Sequence, residues 1–244
     1  MAEQWSGFSY VVTNLARFIR PEEITFSGVN STPPMLACLL AKRAYDWDFI
    51  YINVAGGVDP TVEKVPLSSS DPALANGSAS IFSNEDFYDL CTRGRMDLTF
   101  LGAAQIDGEG NVNNSAIGDW HKPKVRLPGG GGGAVMLPTA RRACTWRTEH
   151  STRTLVDKLH FLTSWGGMSG VVTPIAVFVK RDGRLALESW HPEVELEEVR
   201  ERTGFSFDAS QAAPTAPPTE AERAALAAID PDGRFEQDAA IKLH

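Results

Sequence analysis

The stretch FIYINV, residues 49–54, is apolar at almost every position and decides the fold class. Such a run is typical of a strand in a parallel sheet, where helices cover both faces of the strand. Residues 23–29 and 98–104 predict two further strands, and helical spacing over residues 32–45 and 83–94 predicts the helices between them. Strands that alternate with helices at this density predict an α/β protein with helices on both faces of its sheet.

The pattern changes after residue 140. Residues 143–148 and 158–163 predict two strands, and residues 175–179 predict a third strand that pairs with residues 184–188 across a short turn. The last pair forms an antiparallel hairpin, so the sheet is expected to be mixed. A further helix is predicted over residues 195–203.

Length and composition predict the domain organisation. The chain has 244 residues, which allows one large domain or one domain with an appendage. Residues 1–205 form the predicted domain, residues 206–220 a linker rich in proline and alanine, and residues 221–244 a helical tail. Thr219 and Glu222 have the spacing of a capping box, which predicts a helix at the start of the tail.

Net charge and residue types argue against several classes of protein. The 23 Lys and Arg residues against 31 Asp and Glu residues give a formal charge of −8, whereas a nucleic-acid-binding protein needs a basic face. Neither an export signal nor a membrane span is predicted, so a cytoplasmic protein is expected. Three cysteines at wide spacing are expected to be buried free thiols, and five scattered histidines predict no metal site.

Five consecutive glycines occur in LPGGGGGA, residues 127–134. Their spacing matches neither the Walker A motif nor the dinucleotide-binding motif. One interpretation is a flexible linker. In the other, backbone N–H groups point into one concavity and bind an oxygen that becomes negative during a reaction. This second interpretation makes Gly130, Gly131, Gly132 and Gly133 an oxyanion loop.

Three motifs follow one another along the chain, and the second of them contains the glycine run. FLGAAQID-x-x-GNVN spans residues 100–113, RLPGGGGGA spans residues 126–134, and VDKLHFLTSWGG spans residues 156–167. In this order they resemble the β subunits of class I coenzyme A transferases. The resemblance implies an open three-layer α/β/α sandwich with a mixed, mainly parallel sheet. It also implies a homologous α subunit in an α2β2 heterotetramer, an oxyanion pocket at the glycine loop, and coenzyme A as part of the substrate rather than as a bound cofactor.

The transferases of this family use a glutamate in a turn after an early strand, which attacks the acyl-CoA thioester and forms an acyl anhydride. The corresponding turn here is NVAGG, residues 53–57, and Val54 occupies the position of the glutamate. Because a valine can neither attack a thioester nor move a proton, this placement excludes covalent glutamyl catalysis by the chain. Either the chain is inactive, or its partner supplies a carboxylate for a different reaction.

This departure makes the chain resemble the β subunits of actinobacterial steroid-ring hydrolases more closely than the transferases. That resemblance implies a heteromeric enzyme of cholesterol catabolism, which opens the last carbon ring of a CoA ester by adding water and cleaving a C–C bond. A glutamate of the α subunit would act as general base. The alternative is the β subunit of an acyl-CoA:3-oxoacid or dicarboxylate CoA transferase, and a noncatalytic binding module is a third hypothesis.

The candidate substrate-binding residues lie at predicted strand ends and beside the glycine run, because open α/β sheets bind their ligands beyond the carboxyl ends of the strands. They are Val54, Ala55, Gly56, Gln105, Asn111 and Ala134. Asn111 could instead cap its turn, and Asp107 and Glu109 are interpreted as turn formers rather than as an acid–base pair. Basic residues around the glycine run could bind the phosphates of coenzyme A or could simply be solvated; they are Lys124, Arg126 and Arg141.

Overall fold

The computed structural model describes residues 6–235, which contain six α-helices and fourteen strands. The helices are α1 (Gly7–Phe18), α2 (Thr32–Ala44), α3 (Asn84–Thr92), α4 (Gly133–Thr139), α5 (Leu196–Arg202) and α6 (Glu220–Ile229). The strands are β1 (Ile24–Ser27), β2 (Ile50–Asn53), β3 (Gly57–Val58), β4 (Ser80–Ile81), β5 (Leu98–Gly102), β6 (Gln105–Ile106), β7 (Val112–Asn113), β8 (Ala116–Gly118), β9 (Pro123–Arg126), β10 (Arg142–Trp146), β11 (Met168–Val172), β12 (Ala176–Arg181), β13 (Arg184–Trp190) and β14 (Ala213–Pro214).

Ten of these strands form one mixed sheet in the order β14-β13-β12-β11-β10-β5-β1-β2-β3-β4. Its five central strands, from β11 to β2, are parallel. Antiparallel strands extend the sheet on both sides. β12 and β13 form the predicted hairpin, with Asp182 and Gly183 at positive φ in its turn. The prediction of a mixed, mainly parallel sheet is therefore confirmed.

Helices cover both faces of this sheet and bury two separate cores. α1, α2 and α6 pack over the core that contains Phe100 and Cys144 of the sheet. α3, α4 and α5 pack over the other core, which contains Leu101 and Ala143. Since consecutive residues of β5 and of β10 enter opposite cores, these strands are buried on both faces. The expected three-layer α/β/α sandwich is confirmed.

One predicted strand is wrong. Residues 158–163 form an irregular segment, and the parallel neighbour of β10 is instead β11. The N–H groups of Thr163 and Ser164 donate to the carbonyl of Val112 at 2.9 and 3.2 Å, which holds the segment against β7 and outside the large sheet. The strand β11, whose sequence is MSGVV, was not predicted because a serine and a glycine interrupt its apolar run.

The segment predicted as a linker is in contact with the sheet and with α1. β14 lies within it and pairs in parallel with β13 at the edge of the sheet. The carbonyls of Ala216 and Pro217 accept hydrogen bonds from the Arg17 guanidinium at 2.9 and 3.0 Å. Residues 236–244 of the predicted tail and residues 1–5 of the predicted domain lie outside the described residues, and the division of the chain stays a prediction.

Two local predictions are confirmed. Cys38, Cys91 and Cys144 are free and buried, and burial raises the pKa of each thiol, that of Cys91 to about 11. Thr219 and Glu222 form the predicted capping box at the start of α6, since each side chain accepts a hydrogen bond from the backbone N–H of the other residue. Between residues 6 and 235, no helix has the length and apolar character needed to cross a membrane.

Candidate active site

A cleft of about 910 Å³ lies at the carboxyl ends of four adjacent parallel strands. Gly28 follows β1, Val54 follows β2, Gly102 ends β5 and Arg147 follows β10, and all four residues line the cleft. The strand order places these ends side by side. Ligands of open α/β sheets bind beyond the carboxyl ends of the strands, so this cleft is the candidate active site.

The glycine run forms one wall of the cleft. Gly129 and Gly131 have φ angles of +95° and +46°, which residues with side chains rarely adopt. Gly129 donates its N–H to the carbonyl of Asn114 at 2.7 Å. Within the described part of the chain, the N–H groups of the following residues, Gly130–Gly133, donate to no acceptor. The run therefore lines the cleft with backbone N–H groups that have no acceptor in the described fold, and its role as an oxyanion loop stays a prediction.

Asn114 connects the glycine run to the end of β5. Its Nδ2 donates to the carbonyl of Gly102 at 3.1 Å, and its Oδ1 accepts from the N–H of Ala104 at 2.7 Å. Its own N–H donates to Oγ1 of Thr163 at 2.8 Å. Its carbonyl accepts the hydrogen bond from the N–H of Gly129, so these contacts use every polar group of the residue. Asn114 directly follows the motif of residues 100–113; the sequence prediction selected Asn111 within that motif and missed Asn114.

The turn after β2 brings Val54 into the lining of the cleft. Oδ1 of Asn53 accepts hydrogen bonds from the N–H groups of Ala55 and Gly57 at 3.0 and 3.3 Å, and these bonds close the turn. Gly56 has a φ of +93°. Of the three substrate-binding positions predicted in this turn, Val54 lines the cleft, whereas Ala55 and Gly56 do not.

No carboxylate, histidine, cysteine or lysine occurs among the described residues that line the cleft. Its ionisable side chains are those of Tyr88 and Arg147. The described lining as a whole therefore lacks a carboxylate, and the absence is not limited to the position of Val54. Elsewhere in residues 6–235, no group of acidic residues, histidines and cysteines is arranged to hold a metal ion.

The structure does not bring Gln105 and Asn111 to the cleft. Gln105 is buried, and its Oε1 accepts a hydrogen bond from Asn113 Nδ2 at 2.8 Å. Oδ1 of Asp107 accepts from the N–H groups of Glu109 and Asn111, both at 2.9 Å. Nδ2 of Asn111 donates to Oδ2 of Asp107 at 3.0 Å. The interpretation of Asp107 as a turn former is therefore confirmed, and Asn111 stabilises the same turn.

The remaining candidates lie outside the lining of the cleft. Lys124 and Arg126 are exposed on β9, and the Arg126 guanidinium stacks over the Trp120 ring at 4.4 Å. Arg141 is exposed and pairs with Asp97 at 2.9 Å. It directly precedes β10, so it lies at the amino ends of the parallel strands and not at the carboxyl ends where the cleft is, contrary to its predicted place beside the site. Ala134 donates its N–H back into the glycine run, to the carbonyls of Gly130 and Gly131 at 3.3 Å. Contact of these basic residues with coenzyme A stays a prediction.

Comparison with known proteins assigns the family. Residues 10–201 match the coenzyme A transferase family. The chain belongs to this family. It is 36% identical over 237 residues to one subunit of the 3-oxoadipate CoA-transferase from Pseudomonas knackmussii, and the match covers 88% of this chain and 89% of that protein.

Solved structures of CoA-transferase-like proteins superpose over nearly the whole chain. The decarboxylase AibA/AibB gives a TM-score of 0.89 at 29% identity, covering 96% of this chain and 98% of that one. Glutaconate coenzyme A-transferase from Acidaminococcus fermentans gives 0.85 at 26% identity, covering 95% and 97%. IpdAB from Rhodococcus jostii RHA1 gives 0.82 at 21% identity, covering 96% and 98%, which shows a common fold alone. Because a decarboxylase and a transferase both have this fold, the residues of the cleft must decide the reaction.

Proposed function

We propose that the chain is the β subunit of a two-subunit hydrolase, which cleaves a C–C bond of a cyclic CoA ester by adding water. The proposed substrate is the last carbon ring of a cholesterol-derived degradation intermediate, and the proposed compartment is the cytoplasm. A glutamate of the α subunit supplies the general base. The relatives support a partner, since the matching chains of the 3-oxoadipate and glutaconate CoA-transferases are each one of two kinds of subunit. The proposed assembly is an α2β2 heterotetramer.

One observation carries this proposal: the cleft combines free backbone donors with a lining that has no carboxylate. The N–H groups of Gly130–Gly133 are available to a negative oxygen. No described residue of the lining can form an acyl anhydride with a thioester, because that step needs a carboxylate nucleophile. A lining with free backbone donors and no carboxylate favours a noncovalent reaction in which the general base belongs to another chain.

The proposed reaction begins when the carboxylate of the α subunit removes a proton from water. The resulting hydroxide adds to the ring ketone, and the bond between that carbon and the carbon next to the thioester breaks. The electron pair moves to the thioester enolate, whose oxygen accepts hydrogen bonds from the glycine run. The enolate carbon then takes up the proton that the α-subunit carboxylate removed from water, and the former ketone carbon becomes a carboxylic acid at the other end of the opened chain. Coenzyme A takes part as the substrate's own thioester, and the mechanism uses no bound cofactor.

A CoA transferase is the second candidate, and the 36% identity to a 3-oxoadipate CoA-transferase chain favours it. This candidate needs a nucleophilic carboxylate from outside the described lining. It also predicts exchange of coenzyme A between two acids rather than consumption of water.

The two candidates differ in where an oxygen of water goes. The purified complex of the chain with its α subunit is incubated with a cyclohexenone CoA ester in H₂¹⁸O, with and without succinate. The hydrolase proposal predicts ring opening without an acceptor acid and one ¹⁸O atom in the new carboxylate. Deletion of the gene should also abolish growth on cholesterol. Succinate-dependent transfer of coenzyme A with an intact ring would reject the hydrolase in favour of the transferase.

A further inference from the structure

Four aromatic side chains line the part of the cleft that reaches the face of the sheet covered by α1, α2 and α6. They are those of Phe8, Phe100, Trp146 and Phe235, and together they form the aromatic end of the cleft. The three phenylalanines belong to the core on this face and are at most 3% exposed, and Trp146 packs against the same core. The glycine run instead leads into α4, which covers the opposite face. The cleft therefore has backbone donors towards one face and aromatic rings towards the other.

Phe235 belongs to the segment after α6, and several contacts fix its position. Oδ1 and Oδ2 of Asp230 accept hydrogen bonds from the N–H groups of Arg234 and Phe235 at 2.9 and 3.1 Å. The Arg234 guanidinium donates to the carbonyl of Val65 and stacks over the Phe235 ring at 4.9 Å. These contacts hold the Phe235 ring in the wall of the cleft.

Half of the aromatic end lies outside the part of the chain that matches the coenzyme A transferase family. Phe8 precedes residues 10–201 and Phe235 follows them, whereas the glycine run and Val54 lie within this range. Phe8 and Phe235 nevertheless enter the same core. Membership of the family therefore does not by itself predict this wall of the cleft.

Trp146 adds one polar group to this apolar surface. Its Nε1 is buried and donates to no acceptor within the described part of the chain. A buried donor without an acceptor costs free energy, and an oxygen of a ligand in the cleft would remove this cost. Aromatic rings with a single donor among them suit a ligand group that is largely apolar and carries an oxygen.

We infer that the aromatic end is an acyl subsite that selects CoA esters of alicyclic acids over those of linear acids, and that Phe235 determines this specificity. Rigid aromatic walls favour a ring, because a ring loses less internal rotation on binding than a linear chain with the same number of carbons. Trp146 Nε1 donates to an oxygen on the bound ring. The inference rests on the proposed function in one respect, which is that the cleft holds the acyl group of a CoA ester.

The test measures binding by calorimetry on the complex with the α subunit. The ligands are cyclohexanecarbonyl-CoA, heptanoyl-CoA, which has the same number of acyl carbons in a linear chain, and acetyl-CoA. The wild type should bind the ring about 10- to 100-fold more tightly than acetyl-CoA and about 3-fold more tightly than heptanoyl-CoA. Phe235→Ala should remove most of this preference, and Phe235→Trp should weaken the ring selectively because it narrows the subsite. Unchanged affinity for acetyl-CoA shows that each variant is folded.

Phe205→Ala is the matched control, because Phe205 is equally buried but lies in the opposite core and does not line the cleft. It should keep the ring preference of the wild type. The subsite is rejected if the wild type binds ring and linear chain equally, or if Phe235→Ala weakens all three ligands equally. It is also rejected if Phe205→Ala reduces the preference as much as Phe235→Ala does.

Trp146→Phe tests the donor, since it removes the N–H group and keeps an aromatic ring. The 3-oxo and 4-oxo derivatives of cyclohexanecarbonyl-CoA are compared with the parent ring. Trp146→Phe should weaken at least one ketone about 3- to 10-fold more than it weakens the parent ring. Equal weakening of the parent ring and both ketones would overturn the assignment of the donor. None of these esters has a ketone next to the carbon that bears the thioester, so a complex that opens no ring still answers the question.

Discussion

Gly130 is a residue of the glycine run at which a side chain cannot be added without displacement. A Cβ atom there would lie 2.7 Å from Cβ of Ala134 and 3.0 Å from Cγ2 of Thr163. We expect Gly130→Ala to shift the run by several tenths of an ångström and to lower kcat about 10- to 100-fold, since misplaced donors lose much of their effect on the transition state. Steady-state kinetics of the complex measures this loss.

Gly133→Ala provides the comparison, because its added methyl group would meet Cδ2 of Leu101 at an ordinary 3.8 Å. It should reduce kcat much less than Gly130→Ala does. If both variants lose activity equally, or if neither loses any, the geometry of the run is not what supports catalysis.

Asn114 carries a second prediction at this scale. Asn114→Ala removes the side-chain bonds to Gly102 and Ala104 and frees the segment whose carbonyl holds Gly129. We expect kcat to fall about 10-fold or more and the free energy of unfolding to fall by about 1–2 kcal/mol. The exposed Asn76 offers a matched Asn→Ala control, which should change neither quantity. Full activity in Asn114→Ala would show that the glycine run holds its shape without this residue.

The sequence predicts single residues well where the chemistry is unusual and poorly where it is common. Five adjacent glycines and a valine in place of a catalytic glutamate are rare, so Gly130–Gly133 and Val54 could be selected in advance, and all of them line the cleft. Asn114 and Phe235 have no such signature. Asn114 follows another asparagine, and Phe235 reaches the cleft through the packing of the segment after α6, which only the structure reveals.

At the scale of elements, Glu222 fixes α6 to α1 and α2. It pairs with Arg17 at 2.9 Å and accepts a hydrogen bond from Tyr45 Oη at 2.6 Å. Burial alone would raise the pKa of Glu222, but the hydrogen bonds from Arg17, Tyr45 and the N–H of Thr219 outweigh burial and lower it to about 2. A carboxylate with a lowered pKa stabilises the fold above its unfolded pKa, and this contribution is lost as the pH falls from about 4.5 towards 2.

Glu222→Gln should therefore lower the free energy of unfolding by about 2–3 kcal/mol at pH 7 and by much less near pH 3. Urea unfolding at both pH values measures the difference. Glu220→Gln, on the exposed side of the first turn of α6, should have little effect at either pH. A destabilisation by Glu222→Gln that does not change with pH would mean that ionisation of Glu222 contributes nothing.

β1, β2, β5 and the helices α2 and α3 were predictable, because the three strands are rich in β-branched, aromatic and other apolar residues and the helices have apolar residues at helical spacing. The two-residue strands β3 and β4 were not predicted. The sequence predicted a strand at residues 158–163, which are irregular, and did not predict the strand β11. The former is apolar enough to resemble a strand but bonds to β7, whereas the latter has a serine and a glycine at its centre. The short strand β14 could not be predicted because it depends on β13 as a parallel partner from a distant part of the chain.

At the scale of the whole molecule, two buried histidines couple folding to pH. His150 lies between Oγ1 of Thr173 and Oγ1 of Thr203, at 2.8 and 2.9 Å. His191 lies against Oγ1 of Thr215 and the carbonyl of Thr173, at 3.0 and 3.1 Å. Burial lowers the pKa of His150 to about 3 and that of His191 to about 4. Both residues stay neutral in the fold at pH values where the unfolded chain takes up protons.

Stability should consequently be constant above pH 6.5 and should fall below it, by roughly 1.4 kcal/mol per pH unit for each histidine once the pH is well under its unfolded pKa. The histidine window begins about two pH units above the one in which Glu222 acts, and the two overlap below about pH 4.5. Thermal unfolding between pH 7.5 and 5 measures the slope, and the double variant His150→Gln, His191→Gln should show a flatter slope despite a lower Tm at pH 7.5. An unchanged slope would contradict the assignment.

The fold as a whole gathers the glycine run, Val54 and Arg147 at one edge of the sheet, but no described residue there is a carboxylate. The central claim is that this chain stabilises a negative oxygen and never carries the acyl group covalently. The most direct test is the intact mass of the β chain after the complex is incubated with its CoA-ester substrate and quenched, with and without borohydride. We predict an unchanged mass for the β chain, whereas an acyl or coenzyme A adduct on it would contradict the claim.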